Sequence, residues 1–155
     1  MNIARFLKED RIDLELDSRF DEDHPPTVES LAEHMAALLQ SSDGVVNPNK
    51  LRLDLLNRER RTPSLLGSGV AMPHVRTLQA RRLVMAVGIS RAGLPLPTPD
   101  ELPVRVAVAL VGPPYDDKVY LQVYRRLSER LLEDGVLDAI VAAEQPGEVV
   151  RALSA

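Results

Sequence analysis

The sequence predicts an α/β fold, a single-domain sandwich with a mixed β-sheet flanked by helices. Three observations predict it. The 155 residues match one domain of ordinary size and can bury a substantial core. Short apolar runs suited to strands alternate along the chain with segments of helical apolar spacing, so strands and helices pack as layers of one body. The two strongest strand runs, at 83–89 and 104–111, are joined by a proline-rich connection without a helix. They are antiparallel or distant neighbours, so the sheet is mixed.

The elements follow in order. The domain comprises residues 1–155, with 1–11 expected as a loosely ordered lead-in. IDLEL at 12–16 alternates apolar with acidic side chains, as a half-buried strand does. SRFDEDHPP is a polar loop kept irregular by Pro25 and Pro26. Thr27 then caps a helix to about Gln40, with Leu31, Met35, Leu38 and Leu39 on its inward stripe. Asn47 and Pro48 start a second helix, one supplying a side-chain acceptor at the cap and the other a fixed φ in the first turn. That helix runs to about Arg60, buries Leu51, Leu55 and Leu56, and is closed by Thr62 and Pro63. SLLGSGVAMPH at 64–74 reads as strand, tight turn, strand around Gly67 and Gly69. The connection RAGLPLPTPDELP holds four of the twelve prolines and is an irregular surface segment. From 116 to 133, Tyr120, Val123, Tyr124, Leu127 and Leu131 recur at helical spacing. Gly135 interrupts that helix, and 137–142 and 147–153 are two short further ones.

Composition excludes several function classes. Cysteine is absent, which removes disulfides, thiol nucleophiles, thiolate-bound zinc and iron–sulfur chemistry. Three histidines are too few for a histidine-rich metal site, and His24 with Asp21 and Asp23 is a flexible, solvated group without a second ligand cluster. Tryptophan is absent, aromatics total 3%, and the net charge is −4, so no nucleic-acid partner is expected. No apolar run approaches the ~18 residues of a membrane span, and the first fifteen residues hold no signal-peptide core. A soluble, cytoplasmic protein without direct membrane insertion is expected. G-x-S-x-G is missing, and LLGSGVA is not followed by the Lys-Ser or Lys-Thr of a nucleotide-binding loop.

Charge is spread unevenly. Residues 51–82 carry seven arginines against Asp54 and Glu59, a local +5 that leaves −9 for the remainder of the chain. Such a field favours an anionic ligand or group, although Arg58, Arg60 and Arg61 also complement a helix C-terminus. His74 is the best candidate for chemistry. It follows the stiff Pro73, ends a small-residue segment and lies inside the basic stretch. A neutral imidazole is nucleophilic near pH 7 and can take a phosphoryl group on nitrogen, given cationic donors for the phosphoryl oxygens. His34, mid-helix, reads as a packing residue. A hydrolase using His74 as general base lacks a supporting acid at motif spacing.

The run Arg58-Glu59-Arg60-Arg61-Thr62-Pro63-Ser64-Leu65-Leu66-Gly67-Ser68-Gly69-Val70-Ala71-Met72-Pro73-His74 resembles the phosphoacceptor region of the fructose/mannitol-type, nitrogen-regulatory-like enzyme IIA family of the sugar phosphotransferase system. The family pattern R-E, S/T, G-x-G-[IV]-A-[IVM]-P-H is met at Arg58, Glu59, Ser64, Gly67, Gly69, Ala71, Pro73 and His74. Weaker similarity extends over nearly the whole chain. The resemblance implies a mixed sheet with His74 at its edge and no cofactor or metal. His74 would receive a phosphoryl group from the histidine-containing phosphocarrier protein. It would pass the group to an enzyme IIB domain, or signal its state to a regulatory protein. Arg58 would hold the phosphoryl oxygens with Ser64 near, and Arg76 is a further cation in reach. Two positions depart from the family. Tyr120 in DDKVYL replaces a second histidine, and its hydroxyl donates one hydrogen bond without positive charge. Val75 replaces the glycine after the acceptor. Both leave open a regulatory binding module of the same fold with weak or no phosphotransfer.

Overall fold

Thr27 and Asn47 open the first two helices as their side chains dictate. The computed structural model describes residues 1–154. In it Thr27 Oγ1 accepts from the Ser30 amide at 2.9 Å, and Ser30 Oγ accepts from the Thr27 amide at 2.8 Å. This reciprocal capping box starts α1 (Val28–Leu39). Asn47 Oδ1 accepts from the Lys50 amide at 3.1 Å, and Pro48 begins α2 (Pro48–Arg61).

The described residues contain six strands: β1 (Leu7–Asp13), β2 (Leu65–Gly67), β3 (Val70–Ala71), β4 (His74–Arg76), β5 (Val84–Leu94) and β6 (Val104–Gly112). The sheet runs β1-β5-β6-β3-β2, with β4 also pairing with β6. β5 and β6 are antiparallel neighbours, while β1 lies parallel to β5, and β3 and β4 lie parallel to β6. The sheet is therefore mixed, and the proline-rich connection returns the chain from β5 to β6 as an antiparallel partner. Three helices complete the fold: α3 (Asp117–Leu131), α4 (Val136–Val141) and α5 (Pro146–Ser154).

Both faces of the central pair are covered, which is why β5 and β6 read as nearly continuous apolar runs. Side chains alternate across the pleat. Val84, Ala86, Ala107, Ala109 and Val111 pack with Leu31, Met35, Leu51 and Leu55 of α1 and α2. Met85, Val87, Val106, Val108 and Leu110 pack with Val123, Leu127, Ile140 and Val149 of the C-terminal helices. Gly88 lets α1 come close, since a Cβ there would lie 3.1 Å from Leu16 Cδ2 and 3.2 Å from Met35 Sδ.

Two boundaries differ from expectation at the N-terminus. Residues 1–11 are not a loose lead-in: Ile3–Phe6 forms a 3-10 turn that buries Ile3 and Ala4, and β1 follows directly. The apolar anchors there are too few to register as a periodic segment. The expected strand at 12–16 ends at Asp13, whose Oδ1 accepts from the Glu15 amide at 3.0 Å and turns the chain. Leu16 is buried from a second 3-10 turn (Leu16–Arg19), so the apolar–acidic alternation spans a bend.

Candidate active site

β4 begins at His74, which lies opposite Leu110 of β6. The Leu110 amide donates to the Pro73 carbonyl at 3.0 Å, fixing the backbone that enters His74. The last turn of α2 brings Arg58 and Glu59 to the same place. Ser64, in the link to β2, is tied there because its carbonyl accepts from the Met72 amide at 2.9 Å. Residues 67–69 all have positive φ (83°, 55° and 83°), so the turn between β2 and β3 depends on its two glycines.

The half-buried His74 ring has one tautomer consistent with its partners. Nδ1 lies 2.7 Å from the Met72 carbonyl oxygen, which only accepts, so Nδ1 carries the proton. Ser64 Oγ, 3.2 Å from Nδ1, receives a share of the same N–H. Nε2 therefore presents its lone pair, and Arg58 Nη2 sits 3.3 Å from it. Arg58 Nη1 donates to the Thr62 carbonyl at 2.6 Å, which tethers the guanidinium. Burial lowers the His74 pKa, the Met72 carbonyl opposes this, the Arg58 charge lowers it further and Glu59 raises it. The net direction is down from 6.5, so the ring is neutral and nucleophilic at neutral pH.

Glu59 is 2% exposed and fully engaged. It accepts from the Ser64 amide and the Ser64 hydroxyl, both at 2.9 Å, and lies 3.5 Å from the His74 amide and from Arg58 Nη1. Its carboxylate thus holds the loop and the arginine rather than the imidazole ring. The tilted ring of Tyr124 from α3 packs on His74 with centroids 4.9 Å apart.

Arg76 and Tyr120 form an adjacent pair. The Arg76 guanidinium lies over the Tyr120 ring at 5.4 Å, and its Nη2 is taken by the Pro114 carbonyl and the Asp117 carboxylate. Arg76 Nε and Tyr120 Oη are buried and without a hydrogen-bond partner. Burial pushes the Tyr120 hydroxyl pKa up, with the charges of Arg76 and Arg58 opposing, so it is a neutral donor throughout the physiological range.

A half-buried imidazole with its Nε2 lone pair beside a tethered guanidinium is an arrangement able to accept a tetrahedral anion on nitrogen, and two buried orphan donors lie in the adjoining Arg76–Tyr120 cluster. A family model for the phosphoenolpyruvate-dependent sugar phosphotransferase system, EIIA 2, matches residues 6–155. The chain belongs to this family. A fructose-specific EIIA component from Haloferax volcanii is 26% identical over 134 residues, 86% of each chain. A fructose-specific EIIABC component from Bacillus subtilis is 21% identical over 97% of the chain, which spans only 22% of that longer relative. The nitrogen regulatory protein IIA-Ntr of Neisseria meningitidis has the same fold, with a TM-score of 0.80 at 22% identity over 97% of this chain and 98% of that one. So does a solved complex of enzyme IIAMTL and phosphorylated enzyme IIBMTL from Escherichia coli, with a TM-score of 0.74 at 19% identity over 95% and 97% of the two chains.

In this EIIA 2 chain, His74, Arg58 and Ser64 meet directly, with Ser64 on the Nδ1 side of the ring and Arg58 on the Nε2 side. Tyr120 and Arg76 share a second, adjoining cluster. Val75 turns from its neighbours in β4 and packs, half-buried, against the α1–α2 side of the core. The other histidines lie elsewhere. His34 Nε2 meets Asp13 at 2.8 Å, a specific polar contact rather than plain packing, and His24 is exposed beside Asp21. In the sequence Glu59 stands only as a motif position and Tyr124 only on a helix face, and neither they nor Met72 are marked as contacts of His74. Tyr124 had a signal, since it stands four residues from Tyr120 on one helix face. The Met72 contribution is a backbone carbonyl and has none. Among the described residues, no group of three or more His, Asp or Glu side chains is placed to hold a metal, and no helix is long and apolar enough to cross a membrane.

Proposed function

We propose that this protein is a cytoplasmic phosphohistidine carrier of the sugar phosphotransferase system, with Nε2 of His74 as the acceptor. It takes the phosphoryl group from the histidine-containing phosphocarrier protein and passes it to an enzyme IIB domain. The observation that carries the reading is the fixed tautomer: Nδ1–H held by the Met72 carbonyl at 2.7 Å and the Nε2 lone pair turned to Arg58. The solved complex of a structurally similar enzyme IIA with phosphorylated enzyme IIB supports an enzyme IIB domain as the partner in onward transfer.

In the step itself, Nε2 attacks phosphorus in line with the P–N bond of the donor phosphohistidine. The Nε2–P bond forms as the donor bond breaks, and the electron pair of the broken bond stays on the donor ring nitrogen. Positive charge gathers on the His74 ring and is stabilised by the Met72 carbonyl oxygen. Arg58 Nη2, displaced from the lone pair, turns to the equatorial oxygens while Nη1 keeps its hold on Thr62. The Tyr120 hydroxyl and Arg76 Nε supply the remaining donors. Ser64, its hydroxyl proton committed to Glu59, positions the ring. Onward transfer returns the bonding pair to Nε2, and the ring departs neutral, with its proton still on Nδ1.

Incubation with labelled phosphoenolpyruvate, enzyme I and the phosphocarrier gives an acid-labile phosphoprotein that passes its label to an enzyme IIB domain. His74→Ala abolishes the label; a label that survives it, or none on the native chain, overturns the proposal. A regulatory binding module, favoured by tyrosine at position 120, would instead hold a partner protein without acquiring label.

A further inference from the structure

The basic segment that flagged His74 does not converge on one place. Arg82, at its end, lies in a different pocket, open and of about 460 Å³, at the β1 edge of the sheet. Arg5, Lys8 and Arg11 line it with Arg82, while Ser42 and Asp43 close the side nearest α1. Leu7, Met85, Leu110 and His74 are successive partners across four strands. The pocket edge and the phosphoacceptor are therefore separated by roughly 14 Å of sheet.

Arg11 makes this more than a basic patch. Its side chain is 8% exposed, which is costly for a guanidinium unless its charge is met. Nε donates to the Met85 carbonyl at 3.0 Å and Nη2 to the Phe6 carbonyl at 3.3 Å, but both acceptors are neutral. Nη1 has only Asp10 at 3.8 Å, beyond hydrogen-bond reach. Burial lowers the Arg11 pKa, Asp10 opposes this, and the nearby Arg82 charge adds to the lowering. Arg82 is paired with the exposed Asp43, and Arg5 is steadied over the Phe6 ring at 4.7 Å. Four cations thus surround one pocket against two carboxylates, in a chain whose net charge is −4.

We propose that this pocket binds a small phosphomonoester, its dianionic phosphate seated between Arg11, Arg82 and Lys8. Guanidinium groups meet phosphate oxygens through paired charge-assisted hydrogen bonds, and the dianion supplies the charge that two backbone carbonyls do not. The volume suits a phosphorylated metabolite. Asp10 and Asp43 beside the cations, together with the overall negative charge, disfavour an extended polyanion or an anionic lipid surface.

The test is amide NMR on the full chain, titrated with glucose 6-phosphate, AMP and inorganic phosphate, with glucose as the neutral control. Saturable shifts at Ser42, Gly44, Leu83 and Met85 with one or more phosphates and none with glucose are expected. Changing Lys8→Gln and Arg82→Gln together weakens that binding at least about tenfold, while the rest of the spectrum and His74 labelling stay native. Arg11→Met abolishes binding if the chain stays folded; the surface double variant decides the matter if it does not. The proposal is overturned by no saturable shift with any of the three phosphates, by equal binding in the double variant, or by binding only to phosphatidylglycerol vesicles or to a phosphoserine peptide.

Discussion

Replacing Arg58 with glutamine removes the charge nearest the proposed acceptor nitrogen while keeping a polar side chain. A unit charge pair at 4 Å with an effective dielectric of about 20 is worth about 4 kcal/mol. The Arg58 side chain is 27% exposed, so solvent screens part of this. About 3 kcal/mol of transition-state stabilisation remains, the same as a preorganised donor at a developing anion, or about a hundredfold in rate. Rapid-quench transfer from labelled phosphocarrier to Arg58→Gln measures it in single turnover. The pH profile supplies a second, independent readout. The Arg58 charge lowers the His74 pKa, so its removal raises that pKa, and the acid limb of the profile moves to higher pH. Transfer within about threefold of the native rate, or an acid limb displaced downward, would refute the reasoning.

Tyr120→Phe removes a buried hydroxyl that has no partner in the free protein, so it raises stability to urea by about 1 kcal/mol while slowing phosphorylation of His74. Equal loss of both would mean the hydroxyl is structural. The His74 pKa lies below its unfolded value of 6.5, so its stability contribution is complete above 6.5 and is lost as pH falls toward the folded pKa. Urea unfolding at pH 8 and pH 5.5 accordingly shows a larger acid loss for the native chain than for His74→Gln. Gly93 has φ of 88°, and a Cβ there would meet Pro103 Cβ and Cγ at 2.8 Å. Gly93→Ala therefore costs about 2 kcal/mol and lowers Tm by about 5 °C in a calorimetric scan.

The meeting of His74, Arg58 and Ser64 is legible in the sequence because these residues are close along the chain. Arg58 lies in the last turn of a helix whose start is marked by Asn47 and Pro48, and a glycine-bounded turn returns the chain so that Ser64 and His74 meet it. The mixed sheet is legible from β5 and β6, whose apolar runs and proline-rich link leave an antiparallel pairing as the short route. What the sequence hides is of three kinds. The Met72 carbonyl has no side-chain signature, although it sets the tautomer. Glu59 stands beside Arg58 in the motif, but only the fold reveals that it binds Ser64 and not the ring. Summed charge over 51–82 hides that the chain turns between Arg76 and Val84, carrying Arg82 to another pocket. The strand misplaced at 12–16 has a similar origin, since alternation continues through the Asp13 bend and Leu16 is buried from a 3-10 turn instead.

The central claim concerns one nitrogen atom. Phosphorylation of the 15N-histidine-labelled chain, followed by correlation of the 31P resonance with the ring nitrogens, reads it directly. Coupling to Nε2 of His74, with Nδ1 still protonated, is the predicted result. Coupling to Nδ1, or a phosphorus signal assigned to any residue other than His74, would contradict it.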